Sequence, residues 1–363
     1  MAPFDESFFF TALVLMTPIL LVALGELIAE RTGVINVGLE GMMLVGAFFS
    51  YWMVTEVDSH VLGLLAGVGA GVAAAAVMAL LSINARADQI IVGIGIWILG
   101  LGLTSFLFTE VFASRSQIVV SVPDPINIPV LREIPGVGHV LFEQTALVYV
   151  AILLVPAVWF VLYRTTWGLA VRAAGDLPAA AATGGLSVRW IRWLGTLCAG
   201  ALSGAGGAFL ALGQVGIFQP EMTAGRGFLA LAAVIFGRWS PIGVMGASFL
   251  FGASQALQLR LQGLPQVPRS VWIVAGALFV VFALNVLRQT SSGRKRSSWA
   301  LAIVAAVVVV GALFTTEPSV SLPSQLWIAT PYLITIVALA GLSRRGGTPA
   351  YLGIPWSAGE DAV

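Results

Sequence analysis

Residues 25–41 read GELIAERTGVINVGLEG and interrupt the apolar runs at 8–25 and 34–54 with Glu26, Glu30, Glu40, Arg31, Asn36 and four glycines. The runs have the length of bilayer-crossing helices, because about twenty apolar residues span roughly 30 Å of hydrocarbon. A helix facing lipid does not tolerate such an interruption, since one carboxylate at the centre of a span costs about 2.5–3.5 kcal/mol on insertion scales. Polar groups and irregular backbone survive at membrane depth where they are buried in protein or line a cavity, and glycines let neighbouring backbones close up. The stretch therefore belongs to the interior of a helical membrane bundle.

The rest of the chain agrees. Its 363 residues are 58% hydrophobic and 10% charged, with a mean hydropathy of +0.97, against about 25% charged for a soluble domain. Apolar segments fall at 8–25, 34–54, 61–81, 90–110, 145–163, 191–213, 228–237, 243–259, 271–287, 299–315 and 326–342. The expected fold is an all-α integral membrane protein of about 10–11 transmembrane segments, one domain over 1–345 with a tail at 346–363. No alternating barrel-strand pattern occurs. Asp5 and Glu6 stand where a secretory signal carries positive charge, so the first apolar run reads as a retained span. A net charge of +1 argues against a basic nucleic-acid surface, and Cys198, being alone, forms no disulfide within the chain.

Lysine and arginine set the expected direction. Arg164, Arg172, Arg189 and Arg192 mark one loop, centred on the coupling loop 164–190, Arg288 and Arg294 with Lys295 and Arg296 a second, and Arg344 with Arg345 the tail. All three are expected on the cytoplasmic side, which puts the N-terminus and loops 55–60, 111–144 and 316–325 outside. Arg260 and Arg269 then fall on the outer side, against the bias. Pro123, Pro125, Pro129 and Pro135 predict an extended loop over 111–144, either a contact for an extracytoplasmic binding protein or a packed connector.

Three segments carry further information. Asn36 and Glu40 are four apart, so a helix through them puts both on one face; Glu40 serves either a helix-end or ion-pair contact, with Arg31 as one partner, or a solute pathway. In the loop 167–187, Asp176 reads as an N-cap, Pro178 as first turn, and Gly184 with Gly185 as the stop of a short helix, either a docking element for a partner domain or an ordinary surface helix. Gly200, Gly204, Gly206 and Gly207 make a small-residue face for close packing. After it, 228–237 is too short to cross unaided and reads as a broken or re-entrant helix, or as a tilted span with a kink.

GELIAERTGVINVGLEGMMLVGAF, RAAGDLPAAAATGGLSV, LAAVIFGRWSPIGVMGASFLFG and PYLITIVALAG followed by PAYLGIPW together resemble the permease subunits of the branched-chain amino acid and simple sugar importer superfamily, in particular its nucleoside branch. The resemblance covers nearly the whole chain. It implies a transport subunit in a prokaryote's cytoplasmic membrane that is not an enzyme and binds no cofactor. ATP and Mg would sit on a partner ATPase docking on 172–187, with Arg172, Gly175, Asp176, Pro178, Ala179, Ala180 and Gly184 as coupling residues. It further implies a second permease subunit, identical or related, and an extracytoplasmic substrate-binding protein. The chain departs from the pattern between Leu261 and Leu322, where it carries an additional helical hairpin.

Independently, the only lysine, Lys295, lies in SSGRKRSS and not in a phosphate-binding loop, so ATP energy has to come from elsewhere. Candidates for the solute pathway are Asn36, Glu40, Trp97, Gln214, Phe218 and Gln219, aromatic faces and amides suited to a nucleoside or a sugar. A different class, an ion-coupled secondary transporter, would use Glu40 or Glu110. Neither His60 nor His139 has metal-ligand spacing, and no nucleophile motif is present, which argues against a membrane enzyme.

Overall fold

The computed structural model describes residues 4–113, 118–127, 129–134, 138–262 and 347–356. The spans expected at 271–287, 299–315 and 326–342, and the hairpin within 261–322, lie outside these. The helices are α1 (Glu6–Arg31), α2 (Leu39–Val57), α3 (His60–Ala79, continued as a π-helical turn Leu80–Asn84) and α4 (Gln89–Phe112). There follow α5 (Pro129–Arg132), α6 (Gly138–Phe142), α7 (Ala146–Arg164), α8 (Thr166–Asp176) and α9 (Pro178–Thr183). The described helices end with α10 (Val188–Ala208, continued as a π-helical stretch Phe209–Val215), α11 (Arg226–Phe236) and α12 (Pro241–Gln262). Among the described residues, α1, α3, α4, α7, α10 with its π-helical end, and α12 are long and apolar enough to cross a membrane.

Hydropathy does not tell inner from outer helices. The most apolar windows of α1 and α7 both average 2.4, yet 78% of the α1 window is buried and 28% of the α7 window. Lipid tails and protein interior are equally apolar, so small residues decide which helices meet. On α10 a Cβ at Gly204 would lie 2.2 Å from the Gly67 carbonyl of α3, one at Gly46 of α2 would lie 2.5 Å from Gly204 Cα, and one at Gly71 of α3 would lie 2.2 Å from the Gly200 carbonyl. The small face expected over 200–207 is thus where α2, α3 and α10 touch backbone to backbone. Added Cβ atoms at Gly69, Gly95 and Gly102 meet nothing within 4 Å.

Helix ends follow side-chain chemistry. Asp5 accepts from the Phe8 N–H at 3.0 Å, Ser59 caps α3, and Asp88 accepts from Ile90 and Ile91. Pro18, inside α1, lacks the N–H that the Val14 carbonyl would receive, and Gln214 Nε2 donates to that carbonyl instead at 2.8 Å. The loop expected to be extended over 111–144 is so only in part: α4 runs to Phe112, 118–125 is irregular, and α5, with Pro129 at its first position, and α6 interrupt it. A two-residue ladder, β1 (Ile126–Asn127) with β2 (Glu143–Gln144), closes it.

The bundle has two ends. At one, Arg260 pairs with Asp5 at 2.6 Å, His60 meets the Ser121 carbonyl at 2.6 Å, and the Val120 N–H donates to Gly216 O at 2.8 Å. At the other, Arg189 donates to Asn84 at 2.9 Å and Arg31 to the Trp239 carbonyl at 3.2 Å. Between Gly216 at the first end and Trp239 at the second, the chain crosses as an irregular segment, 217–225, followed by α11. The short segment is therefore neither re-entrant nor a kinked span but a broken one, its half-helix beginning deep in the bundle. Arg260, which stood against the charge bias, shares its end with the N-terminus.

Candidate functional site

Glu40 fixes the break in that span. Its Oε1 accepts from Thr223 Oγ1 at 2.6 Å and from the Gly225 N–H at 2.7 Å, and its Oε2 accepts from the Gly227 N–H at 2.6 Å. A buried carboxylate on the open N–H groups of a half-helix satisfies donors that no backbone carbonyl reaches, at the end where the helix dipole is positive. Gly225 turns into α11 at φ 81, and a Cβ at Gly227 would lie 2.5 Å from Glu40 N. The helix-end role expected as one option is the observed geometry, with α11 as partner and not Arg31, whose guanidinium goes to Trp239 O and Tyr163.

Asn36 and Glu40 do not share a helix face. α2 begins at Leu39, and Asn36 lies in the preceding turn, its Oδ1 accepting from the Gly38 N–H at 2.9 Å and its own N–H donating to Glu26 at 2.8 Å. Two glycines in the segment 33–38 keep it out of the helix, and Asn36 closes an Asx-type turn there. Glu26 and Glu30, one turn apart on α1, are wholly enclosed beside it, and Trp239 Nε1 donates to Glu30.

The other pathway candidates divide. Gln214 and Gln219 line a cavity of about 740 Å³ at the Asp5 end, whose walls are the start of α1, the stretches 122–125 and 143–145, and the 219–226 segment. Phe218 does not reach it: fully buried, it stacks on Phe48 and Phe108, with ring centroids 5.3 and 5.5 Å away. Trp97 lies edge-on to Phe228 at 5.1 Å and steadies the start of α11 from α4. Glu110 is exposed near the end of α4.

The coupling stretch forms two helices, not one capped at Asp176. Asp176 is the last residue of α8, which Thr165 caps by accepting from the Gly168 N–H at 3.1 Å, and α9 starts at Pro178 and stops at Gly184 as its composition predicts. Gly175 lies against Arg31, where a Cβ would be 2.3 Å from the Arg31 carbonyl, and Arg172 stacks 5.2 Å above the Tyr163 ring. Pro178 is buried, Ala179 half-buried, and Asp176, Leu177, Ala180 and Gly184 face outward. Arg192 is not a loop residue but a buried part of α10, donating to the Ile354 carbonyl at 2.9 Å. The same tail segment gives the Tyr351 N–H to Gly175 O at 2.9 Å and the Gly353 N–H to Gly33 O at 3.0 Å, so it ties α8, α10 and the 25–41 stretch together.

Residues 8–284 match the model of the branched-chain amino acid transport system permease component. The chain belongs to that family. The permease is similar to a putative glucose ABC transporter permease protein of Haloferax volcanii, 41% identical over 68% of this chain and 75% of that protein. A nucleoside ABC transporter permease protein of Lactococcus lactis is 36% identical over 75% of this chain and 89% of its own, and a guanosine ABC transporter permease protein of Bacillus subtilis 30% over 96% and 95%. No solved structure matches. The chain is thus a multi-pass permease subunit of an ABC transporter in the cytoplasmic membrane, not an enzyme, and it works with an ATP-binding subunit and a substrate-binding protein.

Glu26, Glu30, Thr223, Trp239 and the tail segment at 351–354 are the residues that sequence reasoning did not assign. The carboxylates were visible in the opening stretch; Glu26 meets the Asn36 N–H within it, but the partners of Glu30 and Glu40 lie some two hundred positions away, beyond any local pattern.

Proposed function

We propose that the permease imports nucleosides, driven by ATP hydrolysis on a separate subunit that docks on α8 and α9 and holds both ATP and Mg. The observation that carries the nucleoside reading is the likeness to a guanosine permease along 96% of the chain and 95% of that relative. The putative glucose permease is more identical but covers 68% of the chain, which keeps simple sugars as the second reading.

Two features support ATP coupling at the Arg31 end. Leu177, Leu186 and Trp190 are apolar and 53%, 37% and 60% exposed there, the sort of tip a groove in a partner domain receives. Behind the tip, Gly175 presses on the end of α1, and the 351–354 segment links it to Gly33 and Arg192. A push on α9 is thereby transmitted to the carboxylate-lined interior and, through Glu30 and Trp239, to the second half of the broken span.

This end faces the cytoplasm in the proposed arrangement. Arg31, Arg86, Arg164, Arg172, Arg189 and Arg238 gather at it among the described residues, whereas Arg132 and Arg260 at the other end are ion-paired with Glu143 and Asp5. The N-terminus is then outside and the tail inside. A second permease subunit, identical or related, completes the assembly.

Uptake of labelled nucleosides, pentoses and hexoses by the assembled complex tests the reading. Saturable nucleoside uptake with sugars inert is expected; saturable hexose uptake with nucleosides inert overturns it in favour of the sugar permease.

A further inference from the structure

We propose that the Arg238–Trp239 corner between α11 and α12 is a strained latch that α8 works through Tyr163 and Arg31, which makes Tyr163 and Trp239 positioning residues for coupled transport. The proposal rests on the reading that a partner subunit docks on α8 and α9, and deepens it by naming the joint at which that motion reaches the broken span.

The corner ends α11 with an arginine where a glycine is usual. Past Gly237, the Arg238 N–H donates to the Ile235 carbonyl and the Trp239 N–H to the Val234 carbonyl, both at 3.1 Å. Helices commonly stop with this pair of bonds around a glycine in the left-handed region. The left-handed residue is instead Arg238, at φ 53, while the glycine before it stands at φ −67. Trp239 follows, also at φ 53. Residues with a Cβ visit that region singly and at a cost, so two in succession persist only where the surroundings hold them.

The groups that hold the corner all meet Trp239. Its carbonyl accepts from Arg31, through Nε at 3.2 Å and also through Nη2, and from the Tyr163 hydroxyl at 3.4 Å. Its indole Nε1 donates to Glu30, and the residue is buried. Arg31 Nη2 also reaches the Tyr163 hydroxyl, at 3.4 Å. Three donors converge on a carbonyl with two lone pairs, so a small displacement decides which of them stay.

Both donor side chains belong to residues that α8 touches. Arg172 stands 5.2 Å above the Tyr163 ring, and a Cβ at Gly175 would lie 2.3 Å from the Arg31 carbonyl. Positions 172 and 175 are three apart and share one face of α8, so a shift of that helix moves Tyr163 and Arg31 together. On the other side of the latch, a Cβ at Gly237 would lie 2.4 Å from Val244 N and one at Gly243 2.3 Å from Gly237 O. With backbone against backbone there, α11 and α12 turn with the corner. The far end of α11 is the one seated on Glu40. Release of Trp239 lets the left-handed pair relax and frees the half-helix to move at the break.

The test uses the complete complex in vesicles, with solute uptake and ATP hydrolysis measured side by side and thermal midpoints taken in detergent. Tyr163→Phe removes the hydroxyl and keeps the ring. Arg172→Gln removes the cation above that ring, and Arg172→Lys restores one. Arg238→Gly relieves the backbone of an exposed residue and leaves the groups that hold Trp239 in place. Solute imported per ATP hydrolysed, a ratio that does not depend on how much of a variant folds, is expected to fall about fivefold in Tyr163→Phe and in Arg172→Gln. It should fall no further in the double variant and recover at least in part in Arg172→Lys. Arg238→Gly is expected to raise the midpoint and lower the ratio, because a corner without strain has less to release. A native ratio in either Tyr163→Phe or Arg172→Gln overturns the route from α8. An Arg238→Gly midpoint no higher than the native one, or a native ratio in that variant, overturns the strained latch. Native uptake that requires hydrolysis keeps the coupling reading even where the latch fails, whereas native uptake without hydrolysis overturns the coupling reading itself.

Discussion

At the scale of single residues, Glu40 receives donors from 183 to 187 positions further along the chain and decides where α11 starts. Replacing it by glutamine exchanges an acceptor for a donor opposite N–H groups and removes the charge at the positive end of the half-helix. Glu40→Gln is expected to cost about 1–3 kcal/mol, read as a lower thermal midpoint in detergent, with Glu40→Ala lower still; unchanged midpoints in both would contradict the assignment. Gln214→Leu orphans the Val14 carbonyl beside Pro18 and is expected to cost a similar amount. Asp5 adds an acid-dependent contribution. Its hydrogen bond to Arg260 lowers its pKa from 3.8 to about 2. A depressed carboxyl stabilises the fold above its unfolded value and ceases to as pH falls through the folded one. The stability difference between the native chain and Arg260→Ala should therefore be full above about pH 5 and shrink progressively as pH falls through about 2, down to what the Arg260 contacts with Ser7 and Phe8 contribute, as measured by denaturation across that range.

At the scale of elements, small residues select neighbours and the broken span supplies the irregularity that a path needs. Gly204→Val places side-chain atoms where Gly67 and Gly46 already are, while Gly69→Val points into open space. The first is expected to abolish detergent-stable protein and the second to leave yield and thermal midpoint within normal scatter; equal behaviour of the two would contradict the helix packing. The tail segment has its own test. Tyr351→Pro removes the N–H that bonds Gly175 and is expected to lower uptake about fivefold or more while basal ATP hydrolysis and assembly persist, because the loss is of transmission. The apolar runs, the stop of α9 at Gly184 and the small face on α10 were legible in the sequence, because each is local in pattern. The partition of Asn36 from α2, the two-helix form of 166–183 and the burial of Arg192 were not. Asn36 belongs to a turn whose partner is Glu26, Asp176 ends a helix that Thr165 begins, and Arg192 meets a carbonyl 162 positions away.

At the scale of the whole molecule, the arrangement has one logic from end to end. A cavity bounded by the long loop and the start of α1 leads down to a break pinned by Glu40. Below it a half-helix runs towards Trp239, which meets Glu30 and Arg31 near α8. Of the pathway candidates, Gln214 and Gln219 line the cavity, Glu40 shapes its floor, and Asn36, Trp97 and Phe218 hold the surrounding elements in place. Among the described residues arginines gather at the Arg31 end, while at the other end Arg132 and Arg260 are paired with Glu143 and Asp5.

The central claim is that movement of the ATP-binding subunit, passed through α8 and α9, drives nucleosides across this permease. Uptake of labelled nucleoside by the assembled complex, compared between an active ATP-binding subunit and one unable to hydrolyse ATP, with and without an uncoupler, tests it most directly. Uptake that disappears with the inactive subunit and persists with the uncoupler is predicted. Uptake that survives the inactive subunit and collapses with the uncoupler would contradict the account and identify an ion-coupled transporter.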